Sequence, residues 1–255
     1  MCELFGFSSS RETNITKYLI EFFTHSTEHP NGWGLAEFSD GKTVLHTEPV
    51  CALESVLLPE LMKKEIFSKA VMAHIRKATV GGIKPENCHP FFMTDAGGNC
   101  WTLMHNGTIF SGRELIPYTL KQSGDTDSER ILLYLIDKIN MAEEKKNAAL
   151  NSFERFGIVE QMISELSYRN KLNLIIYDTE YLYVHVNMEN TLFYQTTGGG
   201  ICFATSPLND EQWEHVPMTT LLVYQDGRLK YRGKNHHNKY VDLMSAAGAA
   251  YSYDI

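Results

Sequence analysis

The residues that follow Met1, CELFGFS at positions 2–8, place a cysteine directly before a run of apolar side chains. The run predicts a short buried strand near the start of the chain. If Met1 is removed, Cys2 carries both a thiol and a free α-amino group, and an N-terminal amine is an established activator of a nucleophile. A free cysteine beside a strand is more often a small buried apolar side chain. The segment alone leaves both interpretations open.

Outward from this strand, the pattern indicates hairpins and grouped helices. Asn14 precedes apolar residues at helical spacing, which predicts a capped helix over 15–23. Further helices are predicted over 52–67, interrupted at Pro59, and over 111–121, 127–147 and 151–167. Strands are predicted at 33–38 and 43–46 around a turn at 39–41, then at 69–77, 100–105, 172–177, 182–186, 193–196, 201–204, 221–225 and 228–231. Because the helices do not alternate with the strands, we expect an α+β fold of antiparallel sheets. The last residues, 235–255, give no clear prediction.

The composition is that of a soluble globular protein. The 255 residues are 43% hydrophobic and 21% charged, which suits one large domain or two small ones. A net charge of −8 argues against a nucleic-acid partner. The first ten residues do not have the pattern of a signal peptide, and the longest apolar run, Ile131–Ile136, is far shorter than the ~20 residues of a membrane span. Five widely spaced cysteines, at positions 2, 51, 88, 100 and 202, indicate a reducing compartment. We therefore expect a cytoplasmic protein that binds neither nucleic acid nor a membrane.

Three further segments place polar side chains at the end of a predicted strand or at the start of a predicted helix. AHIRKAT at 73–79 places Arg76 near the end of a strand, HNG at 105–107 ends another strand, and GDTDSE at 124–129 leads into a helix. Taken singly, each has a structural explanation: an Asn-Gly pair is usually a turn, and a carboxylate before a helix is usually its N-cap. An arginine at a strand end is usually a solvated charge. Only their combination with Cys2 indicates a functional site.

In this order, the segments M-C-E-L-F-G, A-H-I-R-K-A-T, H-N-G and T-D-S-E resemble the glutaminase domain of the class II glutamine amidotransferases, which are N-terminal nucleophile hydrolases. The resemblance spans residues 2–130. NGWG at 31–34 and CHPF at 88–91 also look like the small, stand-alone members. The resemblance implies a four-layer α/β/β/α sandwich, in which two antiparallel sheets lie face to face with helices outside. It also implies a single glutamine amidotransferase type 2 domain over residues 1–255.

The resemblance further implies the catalytic residues. Cys2, once Met1 is gone, would attack the side-chain amide of glutamine and form a γ-glutamyl thioester. Its α-amino group would carry the proton, since the reference pKa values of an α-amine, roughly 7.7–8.0, and of a thiol, about 8.5, are close. Asn106, through its side-chain amide, and Gly107, through its N–H, would form the oxyanion hole. Glycine suits this position because a side chain there would crowd the tetrahedral intermediate.

Three more residues would bind the amino acid end of the substrate. Arg76 would hold the α-carboxylate with its planar fork, and Thr79 would assist it. Asp127 would pair with the α-ammonium group. The expected ligand is glutamine or a γ-glutamyl small molecule, and no metal or cofactor is implied.

The sequence also departs from the large members of the family. We expect no second domain to receive ammonia, so the chain would either supply an ammonia-accepting partner protein or hydrolyse γ-glutamyl amides in small peptides or thiol metabolites. Val80 stands where several synthetases carry histidine. Two other classes remain as alternatives: a metal-dependent hydrolase, although the ten histidines form no H-E-x-x-H motif, and a non-catalytic regulatory module on the same fold.

Several neighbouring residues have structural interpretations. His74 and His105 are interpreted as structural groups with satisfied hydrogen bonds rather than as catalysts, because the amine already supplies a base. Trp33 is interpreted as a core residue rather than as a wall of the pocket. Cys88, Cys100 and Cys202 are interpreted as buried thiols.

Overall fold

The computed structural model describes residues 2–39 and 42–242. Four α-helices are present in this part of the chain: α1 (Thr16–Thr24), α2 (Leu57–Met62), α3 (Asp127–Lys146) and α4 (Ser152–Leu166). The strands are β1 (Glu3–Asn14), β2 (Trp33–Ser39), β3 (Lys42–Glu48), β4 (Phe67–Ile75), β5 (Phe91–Thr94), β6 (Cys100–Thr108), β7 (Lys171–Tyr177), β8 (Leu182–His185), β9 (Phe193–Thr197), β10 (Gly200–Ala204), β11 (Glu214–His215), β12 (Leu222–Gln225) and β13 (Arg228–Arg232).

The strands form two antiparallel sheets. The first has seven strands in the order β11-β9-β10-β1-β4-β2-β3, and the second has six in the order β13-β12-β8-β7-β6-β5. The N-terminal strand β1 pairs with β10 on one side and with β4 on the other. The apolar segment that opens the sequence is therefore a central strand, flanked on both edges and buried on both faces.

Three apolar layers hold the fold together. One lies between α1, α2 and the outer face of the first sheet, and includes Leu19, Phe22 and Leu58. A second lies between the two sheets, where Gly6 lets β1 approach Ile175 on β7 so closely that an added Cβ would lie 3.0 Å from its Cδ1. The third lies between the second sheet and helices α3 and α4. Helix, sheet, sheet and helix therefore stack in the four-layer order expected, which confirms the α/β/β/α sandwich.

Two predicted helices are shorter than the pattern indicated. In place of one helix over 52–67, a 3-10 turn at Ala52–Glu54 precedes α2. Ser55 between them is extended, and its hydroxyl accepts from the backbone N–H groups of Leu57 and Leu58, so the helix begins anew there. The predicted helix over 111–121 is a 3-10 turn at Arg113–Tyr118 that contains Pro117, which lacks the N–H of a regular helical bond.

The sequence patterns missed two strands and left two regions open. Strand β5 lies in a stretch read as a loop, and β11 is only two residues long. Of the hairpin turn predicted at 39–41, residues 40 and 41 lie outside the described residues, as do residues 243–255 of the C-terminal segment. Residues 235–242 are described, and backbone bonds such as His236 N–H to Thr219 O hold them against the second sheet. No helix within the described ranges is both long and apolar enough to cross a bilayer.

Candidate active site

The candidate site lies at one end of the layer between the two sheets, where apolar side chains give way to polar ones. On the first sheet, Leu4 and Met72 belong to this layer. Glu3 pairs with Ile75, so the side chains of Cys2 and Arg76, which follow the alternation of their strands, continue the same face side by side. The sheet register therefore brings together Cys2 and Arg76, which lie 74 positions apart in the sequence.

The second sheet presents its own polar pair to the same end. Met104 and Ile175 belong to the layer between the sheets. Asn106, two residues after Met104, is opposite Asn173 on β7, and Lys171 lies diagonally across from Asn106 on the same face. The positive charge of Lys171 acts on the Cys2 thiol, so the two sheets meet here. Cys2, Arg76, Asn106 and Lys171 thus share one polar region.

Cys2 carries the thiol among these four side chains. The residue is half-buried, and its Sγ lies 3.5 Å from the carbonyl oxygen of Lys77. Burial raises the pKa of the thiol, while the nearby backbone of Lys77 and the charges of Arg76 and Lys171 act in the opposite direction. The thiol is therefore protonated near neutral pH and needs a base before it can attack.

Asn106 is buried and has one donor to offer. Its Oδ1 accepts from the Nζ of Lys171 at 3.4 Å. Because an ammonium group only donates, this contact fixes which end of the amide faces Lys171. The Nδ2 atom at the other end is buried and finds no hydrogen-bond partner among residues 2–39 and 42–242. An unpaired buried donor costs about 1–3 kcal/mol, so this group is prepared for an acceptor that a ligand would bring.

Gly107 is required by its neighbours on the protein itself. An added Cβ would lie 2.0 Å from the backbone oxygen of Lys171 and 2.3 Å from Nε2 of His105. The expectation that a side chain would crowd the reaction intermediate was therefore not the main reason for glycine. Close packing of β6 against β7 already excludes any larger residue.

Arg76 is buried, and backbone groups hold it from several sides. Its guanidinium donates to the carbonyl oxygens of Val80 at 2.9 Å, Gly81 at 3.2 Å and Gly82 at 2.8 Å. These bonds use three of its five N–H donors. Its own backbone pairs with Asn31 and Gly32, at 2.9 and 2.7 Å. Arg76 is thus not the solvated surface charge that its position alone suggested: it organises the loop after β4 and keeps two further donors.

The structure distinguishes the two carboxylates before α3. Asp127 is buried, and its Oδ2 accepts from the backbone N–H of Ile109 at 2.7 Å, just beyond the end of β6. Asp125 is half-exposed and braces the loop after β4 by accepting from Gly82 N–H at 3.2 Å and from Asn87. The hydrogen bond from Asn87 is the main cause that lowers the pKa of Asp125. Asp127 therefore belongs to the strand end that carries Asn106, and Asp125 belongs to the loop.

Thr79 is the candidate that the structure places least firmly. It is exposed on the loop that follows β4. In the described part of the chain, its side chain makes no hydrogen bond with the other candidate site residues. Its assignment to the site remains a prediction.

The two sequence segments that resembled small family members contact each other beneath the site. Gly32 has a φ of +142°, and an added Cβ would lie 2.8 Å from the Sγ of Cys88. An added Cβ on Gly34 would lie 2.0 Å from the carbonyl oxygen of His89. The glycines therefore allow the segment at 88–91 to pack tightly against the turn that holds the backbone of Arg76.

Of the two histidines expected to be satisfied structural groups, only His105 is confirmed. The prediction for His74 was wrong, because neither of its ring nitrogens has a hydrogen-bond partner within residues 2–39 and 42–242. His105 contacts Ser128 Oγ at 2.9 Å and the Lys171 carbonyl at 3.2 Å, so both ring nitrogens are satisfied. Trp33 is fully buried in the outer layer of the first sheet. Cys88 and Cys202 are buried as expected, but Cys100 is half-buried near the exposed end of β6, so that expectation was wrong.

Sequence reasoning missed Lys171. It is buried at the start of β7, and burial lowers the pKa of its ammonium group to about 8, while Cys2 and Asp242 act in the opposite direction. A signal was present: Lys171 and Asn173 alternate with the apolar residues of the predicted strand over 172–177, on the face that Ile175 turns to the other sheet. A polar residue on the buried side of a strand is a candidate for function.

Comparison with known proteins gives a consistent result. Residues 1–199 match the family described as glutamine amidotransferases class-II. An uncharacterized protein of Methanocaldococcus jannaschii is 28% identical over 92% of this chain and 72% of its own length. A protein of Haemophilus influenzae, provisionally named a glutamine amidotransferase, is 28% identical over 72% of this chain, which spans 63% of that protein.

Solved structures show the same fold. A predicted glutamine amidotransferase from Pseudomonas aeruginosa superposes with a TM-score of 0.65 at 20% identity, covering 89% of this chain and 99% of that one. The glutamine phosphoribosylpyrophosphate amidotransferase of B. subtilis superposes with a TM-score of 0.66 at 18% identity, over 92% of this chain but 49% of that enzyme. With the family match over most of its length, the chain belongs to the class II glutamine amidotransferases.

Proposed function

We propose that this protein hydrolyses the side-chain amide of glutamine through a thioester on Cys2, releasing ammonia and glutamate. One observation carries the proposal: the thiol of Cys2 shares the polar end of the layer between the sheets with the buried, unpaired Nδ2 donor of Asn106. A nucleophile and a donor without a partner are the two parts that acyl transfer needs first. Residues 1–255 would act as a single glutamine amidotransferase type 2 domain.

The reaction begins with the protonated thiol. After removal of Met1, the α-amine of Cys2 accepts the proton of Sγ, directly or through a water, as Sγ bonds to the amide carbon. The tetrahedral intermediate then collapses: the carbon–nitrogen bond breaks, and the amine passes the proton to the departing ammonia. Water next attacks the thioester carbon, and the thiol leaves with the proton returned to it. Acid–base assistance of this kind contributes about 10²–10⁴ in rate.

The oxyanion that forms in each step would be bound by Asn106 and Gly107. Nδ2 of Asn106 is already desolvated, so a negative oxygen there replaces no water and the bond is strong. The backbone N–H of Gly107 would give the second donor.

The amino acid end of the substrate would be bound by charges on both sides. Arg76 would use its remaining donors for the α-carboxylate, with Thr79 beside it on the same loop. Asp127 already uses Oδ2 for Ile109 N–H, so it would turn the other oxygen to the α-ammonium. The positive Arg76 would face the α-carboxylate and the negative Asp127 the α-ammonium. This arrangement would select a substrate with a free amino acid end over a simple amide.

A second candidate differs only in the leaving group: a γ-glutamyl amide of a small peptide or thiol metabolite. Phe110 lies three residues beyond Gly107, is exposed, and stacks on Tyr240 with ring centroids 5.8 Å apart and planes 8° apart. Such an aromatic surface suits an amine larger than ammonia. The ammonia released from glutamine itself would be free in solution or be taken by a partner protein.

A substrate panel tests the proposal. The purified protein is incubated with glutamine, asparagine and γ-glutamyl peptides, and release of ammonia or amine is measured. We expect turnover of γ-glutamyl substrates but not of asparagine. Cys2→Ala should abolish turnover, while Cys100→Ala, at a second half-buried thiol remote from the polar cluster, should preserve it. A Cys2→Ala protein as active as the wild type would refute the proposal.

A further inference from the structure

We propose that Lys171 is a positioning residue of the oxyanion hole, which holds the amide of Asn106 so that its Nδ2 donor faces the reacting carbonyl. The inference rests on the proposed function and deepens it. It assigns a role to a buried lysine that no sequence motif identified.

The sheet register sets the two residues together. Asn106 on β6 is opposite Asn173, so Lys171 is the diagonal neighbour of Asn106 on the same face of the second sheet. Its Nζ lies 3.4 Å from Asn106 Oδ1. This distance is long for a charge-assisted bond, as catalytic hydrogen bonds often are before substrate arrives. The stem of Lys171 is buried, so the ammonium group approaches from inside the protein.

The contact orients the amide. Turning the Asn106 side chain by 180° would place an NH₂ group against an ammonium group, and two donors cannot bond each other. Lys171 therefore keeps Oδ1 on its own side and Nδ2 on the other. The ammonium also polarises the amide, which makes the N–H at Nδ2 a stronger donor to an oxyanion.

Other groups face Lys171 and could in principle explain its burial. Among the described residues, these groups include Cys2, which precedes β1, His105 on β6 and Asp242 in the C-terminal segment. A direct action of the lysine charge on the Cys2 thiol would not involve Asn106. The two roles therefore differ in one measurable property, which is whether the effects of Lys171 and Asn106 depend on each other.

A double-mutant cycle separates the roles. The kcat and KM of the full chain are measured for the best γ-glutamyl substrate in the wild type, Lys171→Met, Asn106→Ala and the double variant. Removing Asn106 should lower kcat about 10²–10³-fold, as loss of an oxyanion donor does. Lys171→Met should lower kcat about 10–100-fold with little change in KM, as loss of an orienting partner does. The double variant should be no slower than Asn106→Ala, because Lys171 acts through Asn106.

Controls guard against a loss of fold. Lys63→Met removes an exposed lysine directly after α2 and should leave kcat unchanged. Melting temperature is measured for every variant, and if Lys171→Met is poorly folded the cycle is run with Lys171→Gln, which keeps a donor of neutral charge. Lys171→Arg, which retains a positive donor, should recover part of the lost kcat.

Three results overturn the inference. A Lys171→Met kcat within twofold of the wild type shows that the lysine has no role in turnover. Losses that multiply in the double variant show that Lys171 acts independently of Asn106. A wild-type protein inactive on every γ-glutamyl substrate overturns the proposed function, and this inference with it, which distinguishes that failure from the other two.

Discussion

At the scale of single residues, the site depends on positions that tolerate no other side chain. Gly107 is the clearest case, because an added Cβ would lie 2.0 Å from the backbone of Lys171, and backbone cannot move aside as a side chain can. Overpacking of this kind usually costs 1–3 kcal/mol or more.

We therefore expect Gly107→Ala to lower the free energy of unfolding by about 3 kcal/mol, at the upper end of that range, and to remove turnover. Gly157→Ala, in α4 with nothing within 4 Å of the added Cβ, is the matched control. It should raise the free energy of unfolding by about 0.5–1 kcal/mol, because alanine favours a helix. Urea unfolding measures both. Equal effects of the two substitutions would contradict the packing argument.

The two carboxylates before α3 provide a second test at this scale. Asp127→Asn should raise KM strongly, because the charge proposed to bind the substrate ammonium is lost. Asp125→Asn should change KM only modestly, because Asp125 contacts the loop after β4 and not the strand end. Steady-state kinetics give the KM of both variants. A larger rise in KM for Asp125→Asn than for Asp127→Asn would indicate that Asp125 binds the substrate ammonium instead.

The sequence predicted most of the candidate site but not Lys171. Cys2, Arg76, Asn106 and Asp127 were singled out because they fall in recognisable motifs. The first two lie on one sheet and Asn106 on the other, at the same end of the layer between the sheets. Lys171 was missed because its proximity to Asn106 arises from a pairing between strands 65 positions apart, which no local pattern displays. The burial of Arg76 was missed for a similar reason, since its partners are carbonyl groups of a loop that the arginine itself shapes.

At the scale of elements, the loop at 80–87 is held both by hydrogen bonds of its own, such as Asn87 Nδ2 to Gly82 O, and by Arg76 and Asp125. Arg76 binds three successive carbonyl groups of this loop, and Asp125 binds Gly82 N–H, Asn87 and Lys84. The same arginine is proposed to bind the substrate carboxylate. Order in the loop and capture of substrate should therefore change together.

Arg76→Lys tests this coupling. A lysine keeps the charge but cannot bond three carbonyls and a carboxylate with one planar fork. We expect a KM at least tenfold higher, a smaller change in kcat, and faster proteolytic cleavage within 80–87 that glutamine no longer slows. Kinetics and limited proteolysis with mass mapping measure these effects. An unchanged cleavage rate beside a raised KM would mean that the loop is independent of Arg76.

Element prediction succeeded where a pattern was long and regular. The helices over 127–147 and 151–167 are confirmed within a residue or two as α3 and α4. The helices predicted over 52–67 and 111–121 were wrong in extent because capping by Ser55 and the missing N–H of Pro117 outweigh an apolar spacing. Strand β11 was missed because two residues carry no alternation at all.

At the scale of the whole molecule, the buried histidines make the fold sensitive to acid. Burial lowers the pKa of His74 and of His185 to about 3, and it also lowers the pKa of His89 well below its usual value. Neither ring nitrogen of His74 or His89 has a hydrogen-bond partner within the described ranges, and the two rings lie 4.1 Å apart. A backbone group of His105 lies near His74 and favours the charged form of the ring, but burial has the larger effect on its pKa.

The sign of the pH dependence follows from these shifts. An unfolded histidine titrates near 6.5, so between pH 6.5 and 3 the unfolded chain binds more protons than the folded one. The stability that depends on neutral histidines is fully present above pH 6.5 and is lost as the pH falls through this window. At pH 5 the free energy of unfolding is lower by about 2 kcal/mol for each buried histidine. We expect urea unfolding at pH 7.5 and pH 5.0 to show this loss.

His74→Phe should reduce the loss by about 2 kcal/mol, the share of one histidine, because phenylalanine cannot be protonated. Within the described ranges the ring of His74 makes no hydrogen bond that the substitution would break. His215→Phe, at an exposed position on β11, is the control and should leave the difference between the two pH values unchanged. A His74→Phe protein that is as acid-sensitive as the wild type would show that other groups dominate.

The proposed chemistry requires that the mature chain begin with Cys2, whose thiol attacks the substrate. Intact and peptide mass spectrometry after treatment with an electrophilic diazoketone analogue of glutamine tests this directly. We predict one adduct per chain, on an N-terminal peptide that begins at Cys2 without Met1, and protection by glutamine. Adduct formation at another cysteine, or full turnover by a protein that retains Met1, would contradict the account.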